Sequence, residues 1–190
     1  MQKRHTIFIA ISLPNEIKRA LAGYEKKWME LPAKWIPENN LHITLVFLGK
    51  LTDIELGEAC VIVKEVAERH RSLNICLRAI GYGPDKKIPP KMVWATGDPL
   101  KELSLLKKEL EDAFLQKIVN FEPEHRGFTP HVTMAKINAF AWRSIEPEER
   151  PNVDESVELL FTVESIEVME SQSKKSGPEY VVIESILLGN

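Results

Sequence analysis

The sequence predicts an α+β protein with two mostly antiparallel sheets, and three observations carry that expectation. Strand-like runs and amphipathic helix patterns are interspersed along the whole chain. A short motif near the start of one half, Leu41-His-Ile-Thr-Leu45, is answered in the other half by Pro130-His-Val-Thr-Met134. No composition shift or low-complexity tract marks a linker between those halves, so residues 1–190 read as one domain.

The elements follow from local patterning. Residues 6–13 are Ile-rich and closed by Pro14, which reads as a strand. Pro14 also suits the first turn of a helix running to residue 29, with Ile17, Leu21, Tyr24 and Trp28 at helical spacing. Residues 33–40 read as an extended piece and a turn. Residues 41–48 read as a strand stopped by Gly49. Residues 53–70 repeat the helix pattern, with Ile54, Ala59, Ile62, Val63 and Val66 expected to face inward. Residues 74–80 and 92–96 are strands around a proline-containing loop, and residues 100–119 form a third amphipathic helix. A loop over 122–130 leads into a strand at 131–137. The stretch 139–152 is polar and proline-bounded and carries no element prediction. Residues 158–170 and 180–188 read as two strands joined by a hairpin turn over 171–178.

Composition narrows the function classes. The chain has 190 residues, 44% hydrophobic and 28% charged, with a net charge of −3. A chain of this size buries roughly 70% of its unfolded surface without needing staples. The slight negative charge argues against nonspecific coating of nucleic acid, while leaving room for a locally basic site. Cys60 and Cys76 lie in apolar stretches and read as reduced, buried thiols. The apolar start is too short and too strand-like for a signal peptide, and no window has the length of a membrane span. A cytoplasmic location is expected.

The chemistry concentrates in the repeated motif. Side chains two apart on a strand share a face, so His42 projects with Thr44 and His131 with Thr133. Their intervening apolar neighbours anchor the opposite face. The chain holds five histidines and seven threonines, so only about 0.2 His-x-Thr triplets are expected by chance. Two occur, both in strand contexts. A pair of imidazoles suits proton transfer in both directions near neutral pH: one neutral ring can take a proton from an attacking water, and one protonated ring can give a proton to a leaving alkoxide. Neighbouring hydroxyls can donate to the nonbridging oxygens of a phosphate. Metal ligation is not indicated, because there is no His-x-His, no helical His-x-x-x-His and no carboxylate beside either triplet.

The two motifs, within Asn40-Leu-His-Ile-Thr-Leu-Val-Phe-Leu-Gly49 and Phe128-Thr-Pro-His-Val-Thr-Met-Ala-Lys136, resemble those of the 2H phosphoesterases. The closest resemblance is to the RNA 2′,3′-cyclic phosphodiesterase, or 2′-5′ RNA ligase, branch. Ile7-Phe-Ile-Ala-Ile-Ser-Leu-Pro14, Met92-Val-Trp-Ala95, and Glu170-Ser171 with Gly177-Pro-Glu-Tyr180 extend it over nearly the whole chain. The resemblance implies two pseudo-symmetric lobes, each a sheet with helices outside, and a cleft between them holding both motifs. It implies hydrolysis of a 2′,3′-cyclic phosphate end to a 2′-phosphate, with His42 as proton donor, His131 as proton acceptor, and Thr44 and Thr133 holding the phosphate. No metal or cofactor is implied. The implied partner is RNA with a cyclic phosphate end, tRNA fragments among the candidates, or a related cyclic nucleotide, acted on by a monomer without a membrane. One departure stands out: many relatives carry a basic residue where this chain has Thr129.

Arg126 and Lys136 are the candidates for local positive charge at such a site, and Phe128 and Tyr180 for contact with a base. Lys86-Lys87 and Lys174-Lys175 read as solvated surface, Trp94 as core, and His5, His70 and His125 as surface residues. Three other readings keep the same residues: a 2′-5′ RNA ligase, a phosphodiesterase for small cyclic nucleotides or 2′-5′ linkages, and a noncatalytic RNA- or nucleotide-binding module.

Overall fold

The computed structural model describes residues 3–84, 88–118, 121–123, 128–175 and 177–189. Its strands are β1 (His5–Ser12), β2 (Ala33–Trp35), β3 (His42–Leu51), β4 (Leu73–Gly83), β5 (Met92–Gly97), β6 (His131–Ile137), β7 (Asp154–Val163), β8 (Ser165–Lys174) and β9 (Gly177–Leu187). The α-helices are α1 (Asn15–Gly23), α2 (Asp53–Ala67), α3 (Lys101–Lys117) and α4 (Ala139–Arg143). The strand order is β7-β4-β5-β6-β3-β1-β8-β9, with β2 added against β6, and every strand pair is antiparallel.

The predicted pair of sheets is present as two halves, β7-β4-β5-β6 and β3-β1-β8-β9. They meet at β3 and β6 through a single residue pair, Ile43 opposite Val132. Hydrogen bonding therefore runs through as one nine-stranded sheet pinched at its centre. Ile43 and Val132 are both fully buried in the main core, together with Ile7, Ile9, Ile11, Ile62, Val63, Leu103, Leu106 and Phe114. Helices α2 and α3 thus cover the face that receives Ile43 and Val132, and the motif histidines are left on the other face.

Several local expectations are corrected. The predicted helix over 14–29 is α1 followed by a tighter 3₁₀ turn, Tyr24–Trp28, in which Trp28 stacks on Trp35 at 6.4 Å and 5°. Gly49 does not stop β3; with φ of 76° it sits at a bulge opposite β1, and the strand continues to Leu51. Ile54, expected inward, lies in the first turn of α2 and is exposed. That helix starts in a capping box: the Glu55 amide donates to the Thr52 hydroxyl, and the Thr52 amide donates to the Glu55 carboxylate at 2.7 Å. The segment 158–170 is not one strand. It breaks at Glu164, where the chain crosses from β7, paired with β4, to β8, paired with β1 and β9. Within 139–152 the Asn138 side chain caps α4, which buries Trp142. Cys60 and Cys76 are free but only partly buried, and burial pushes the Cys60 thiol up to about 12. No helix among the described residues is long and apolar enough to cross a membrane.

His5 and His70 are buried, contrary to the surface expectation. His5 bridges the Glu170 and Asp53 carboxylates at 2.6 and 3.0 Å, so those hydrogen bonds, Glu170 first, raise its pKa above 6.5. The folded state holds this proton more tightly than the unfolded one. The stabilisation is therefore fully present below pH 6.5 and is lost as pH rises through the folded-state value. We expect His5→Gln to lower the melting temperature most at pH 5–6, by about 2–4 °C for each kcal/mol removed, with the gap to the parent narrowing at higher pH. A gap that widens with pH in calorimetry would contradict this assignment.

Candidate active site

The Ile43–Val132 pair sets the geometry of the site. Extending that antiparallel register by one residue each way puts His42 opposite Thr133 and Thr44 opposite His131. The neighbours of an inward-facing pair point outward, so all four side chains share one face across the seam. Diagonal neighbours in an antiparallel pair stand about 7–8 Å apart, which suits two imidazoles on either side of one small group. The cleft is lined by Ile36, Asn40, His42, Thr44, Met92, His131, Thr133, Lys136 and Tyr180. Both His-x-Thr pairs, Lys136 and Tyr180 thus line one cleft.

Matching bulges shape the two sides. Opposite β1, the register passes from Val46 to Thr44, and opposite β5 it passes from Ala135 to Thr133. The extra residues are Leu45 and Met134, at equivalent places in the repeated motif. Each bulge resets the alternation, and in β6 this turns Lys136 into the cleft instead of the core.

The two imidazoles are held alike. Nδ1–H of His42 donates to the Asn40 carbonyl at 2.7 Å, and Nδ1–H of His131 donates to the Thr129 carbonyl at 3.0 Å. A carbonyl only accepts, so Nδ1 carries a proton in each ring and Nε2 is the atom left for chemistry. Nε2 of His42 lies 3.0 Å from the Thr44 hydroxyl. Asn40 also donates through Nδ2 to the Pro178 carbonyl at 2.8 Å, tying the start of β9 to the motif.

Their surroundings differ. His42 packs against Phe8 at 5.0 Å and meets Tyr180 edge-on at 5.1 Å and 90°. Burial lowers the His42 pKa below 6.5, and the charges of Lys18 and His131 push the same way against the opposing hydrogen bond to Asn40. Burial also raises the Tyr180 phenol. His131 instead stacks on the Trp94 indole, with centroids 3.8 Å apart and planes at 24°. Trp94 was expected in the core, yet Val93 and Ala95 are the fully buried residues of β5. Strict alternation within Met92-Val-Trp-Ala95 was the signal that puts Trp94 on the cleft side.

The remaining candidates fall elsewhere. Phe128 packs against the main core with the Lys107 ammonium 5.7 Å over its ring, and it is not among the cleft-lining residues. Arg126, His125 and Lys86-Lys87 lie outside the described residues. Lys174 pairs with Glu179. The lining residues include two imidazoles and an ammonium but no carboxylate or thiolate, a poor donor set for a metal ion. Such an arrangement can deliver and remove protons on opposite sides of a bound anion.

Comparison with known proteins agrees with this architecture. The chain is 29% identical over 187 residues to an RNA 2′,3′-cyclic phosphodiesterase of Thermus thermophilus, covering 96% of this chain and 89% of the relative. It is 26% identical over 169 residues to the protein of the same name from Aquifex aeolicus, covering 85% of each chain. The crystal structure of TT0787 from Thermus thermophilus superposes with a TM-score of 0.83 at 25% identity, over 97% of this chain and 99% of that one. The fold is also that of Escherichia coli LigT complexed with 3′-AMP, with a TM-score of 0.79 at 19% identity over 99% and 100% of the two chains. The model of the 2′-5′ RNA ligase superfamily matches residues 13–175, which contain both His-x-Thr motifs, and the chain belongs to that superfamily.

Proposed function

We propose that this protein hydrolyses the 2′,3′-cyclic phosphate at an RNA end to a 2′-phosphate, without a metal ion. The observation that carries the reading is the mirrored placement of His42/Thr44 and His131/Thr133 about the Ile43–Val132 pair. The names of the relatives at 26–29% identity support the substrate class.

In this reading Nε2 of His131 takes a proton from water as the water oxygen bonds to phosphorus. The P–O3′ bond breaks, and Nε2–H of His42 gives its proton to O3′. The product carries a 2′-phosphate; His131 is left protonated and His42 neutral until exchange with solvent resets both. Thr44 and Thr133 donate to the nonbridging oxygens.

The unlike surroundings of the rings favour these roles. Desolvation of His42 makes its imidazolium the stronger acid, and the bound phosphate anion restores the proton it must carry at the start. The Trp94 face offsets the positive charge that forms on His131 as it takes the water proton, an effect of about 0.5–2 kcal/mol for a cation over an aromatic ring.

The deciding assay offers RNA ending in a 2′,3′-cyclic phosphate beside a 2′-5′-linked dinucleotide and a cyclic mononucleotide, with and without EDTA. We expect the RNA end to be opened, with O3′ freed, at a rate unchanged by chelation. Turnover of the small substrates alone, or loss of activity in EDTA, would refute the reading. The superfamily's name favours 2′-5′ ligation as a second reading. It uses the same in-line chemistry with a ribose 5′-hydroxyl attacking phosphorus in place of water and O3′ again leaving, and joining of 5′-hydroxyl and cyclic phosphate ends in that assay would reveal it.

A further inference from the structure

Lys34 on β2 stands directly opposite Lys136 on β6. Like charges directly opposed across an antiparallel pair are destabilising when nothing neutralises them. Both residues are exposed, and neither has an ion pair among the described residues. In a chain of net charge −3, general composition does not account for two ammonium groups set directly opposite one another.

Their direction identifies what they face. Residues opposite one another share a sheet face, and Lys136 lines the cleft. Ile36, two residues beyond Lys34, lines it as well, whereas Trp35 turns the other way onto Trp28. The Lys34 Nζ lies beside the start of β9, 3.2 Å from where a Cβ on Gly177 would stand. That end of β9 is anchored through Pro178 to Asn40, the residue whose carbonyl holds His42. The two ammonium groups therefore flank the mouth of the cleft, displaced along β6 from the histidine pair.

We propose that Lys34 and Lys136 form a second phosphate subsite, which binds the backbone phosphodiester next to the reacting end and so selects RNA strands over cyclic mononucleotides. This rests on the reading of the cleft as a site for RNA 2′,3′-cyclic phosphate ends. The reacting phosphate sits between the imidazoles, and the preceding phosphate neutralises the opposed lysines. A mononucleotide has no such phosphate and gains nothing from the pair.

The test compares an RNA tetranucleotide ending in a 2′,3′-cyclic phosphate with uridine 2′,3′-cyclic phosphate, using the full chain and Lys34→Ala, Lys34→Glu and Lys34→Arg. For the tetranucleotide, KM should rise about fivefold in Lys34→Ala and further in Lys34→Glu, with kcat little changed and recovery in Lys34→Arg. The slope of log(kcat/KM) against log[salt] should become shallower by about 0.7, the loss of one contact to a single-strand phosphate. The constants for the mononucleotide should stay within about twofold, since only the outer phosphate is affected. Parallel changes for both substrates, or no change for either, would overturn the subsite. If the parent protein opens neither substrate, the hydrolase reading fails on its own. The subsite is then decided by fluorescence anisotropy with a 3′-phosphorylated tetranucleotide: weaker binding by Lys34→Ala upholds it, and equal binding refutes it.

Discussion

Replacing His131 by alanine should lower kcat/KM for an RNA 2′,3′-cyclic phosphate by at least about 10²-fold, the usual loss on removing a general base, while the protein melts almost as before. The two outcomes separate because of how the ring is held. His131 is tied by one hydrogen bond to the Thr129 carbonyl and by its stack on Trp94, at a half-exposed position outside the core. Removing it takes a partner only from the exposed Thr129, so the folding cost should be below about 1 kcal/mol. His42→Ala should reduce turnover as severely but is a less clean variant. Its ring fills space against Phe8 and Tyr180 and holds the Asn40 carbonyl and Thr44 hydroxyl, so stability should fall as well. Single-turnover assays beside thermal melts check both, and a His131→Ala protein with parental kcat would remove the two-imidazole mechanism. The rate should follow a bell in pH, because one ring must be neutral and the other charged. The two limbs belong to the coupled pair rather than to either ring alone.

The second large effect is expected well away from the reacting atoms, at Gly83. A Cβ there would come within 2.6 Å of Cε3 and 2.8 Å of Cγ of Trp94. These atoms lie near the root of the indole, so the whole ring must move. β5 lies between β4, which carries Gly83, and β6, which carries His131, so a displaced indole presses on the stacked imidazole. The Trp94 Nε1 is buried without a hydrogen-bond partner, so packing alone sets the position of the ring. We expect Gly83→Ala to lower kcat at least about tenfold, as misplacement of a catalytic group does, with KM little changed. Trp94→Leu should lower kcat by about tenfold as well, equivalent to about 1.4 kcal/mol of lost transition-state stabilisation. Trp94→Phe, which keeps an aromatic face, should recover part of it. The histidine ring signals in NMR distinguish a positional from a merely structural role. In Trp94→Leu the His131 ring signals should move and broaden, because the face that holds the imidazole by stacking is gone. Unchanged His131 ring signals together with unchanged kcat would exclude Trp94 from the mechanism.

How much of this was legible beforehand depended on whether the signal was local. His42 with Thr44, and His131 with Thr133, could be paired from sequence because the two-residue strand period is imposed by backbone geometry wherever a strand forms. The same period should have placed Trp94 beside them. Its bulk and apolar character favoured the core, although Val93 and Ala95 already occupied that face. Phe128 failed for the opposite reason: five residues from Thr133 in sequence, it packs toward Lys107 and α3, and no local pattern encodes that contact. The break at Glu164 was equally hidden, since β7 and β8 carry similar apolar patterns but pair with β4 and β1 in different halves.

The chain alone therefore determined the kinds of element, the repeated motif and the identity of the four side chains most suited to phosphoryl chemistry. All of these rest on interactions within a few residues. Only the tertiary structure decided that Ile43 and Val132 meet, that bulges at Leu45 and Met134 reset the strand faces, and that Lys34 stands against Lys136. Those outcomes depend on hydrogen-bond register between strands distant in sequence, about ninety residues apart for Ile43 and Val132. Register is selected by burial of the whole apolar face at once, so a shift of a single residue in β3 or β6 would turn the histidine and threonine of that strand toward the core.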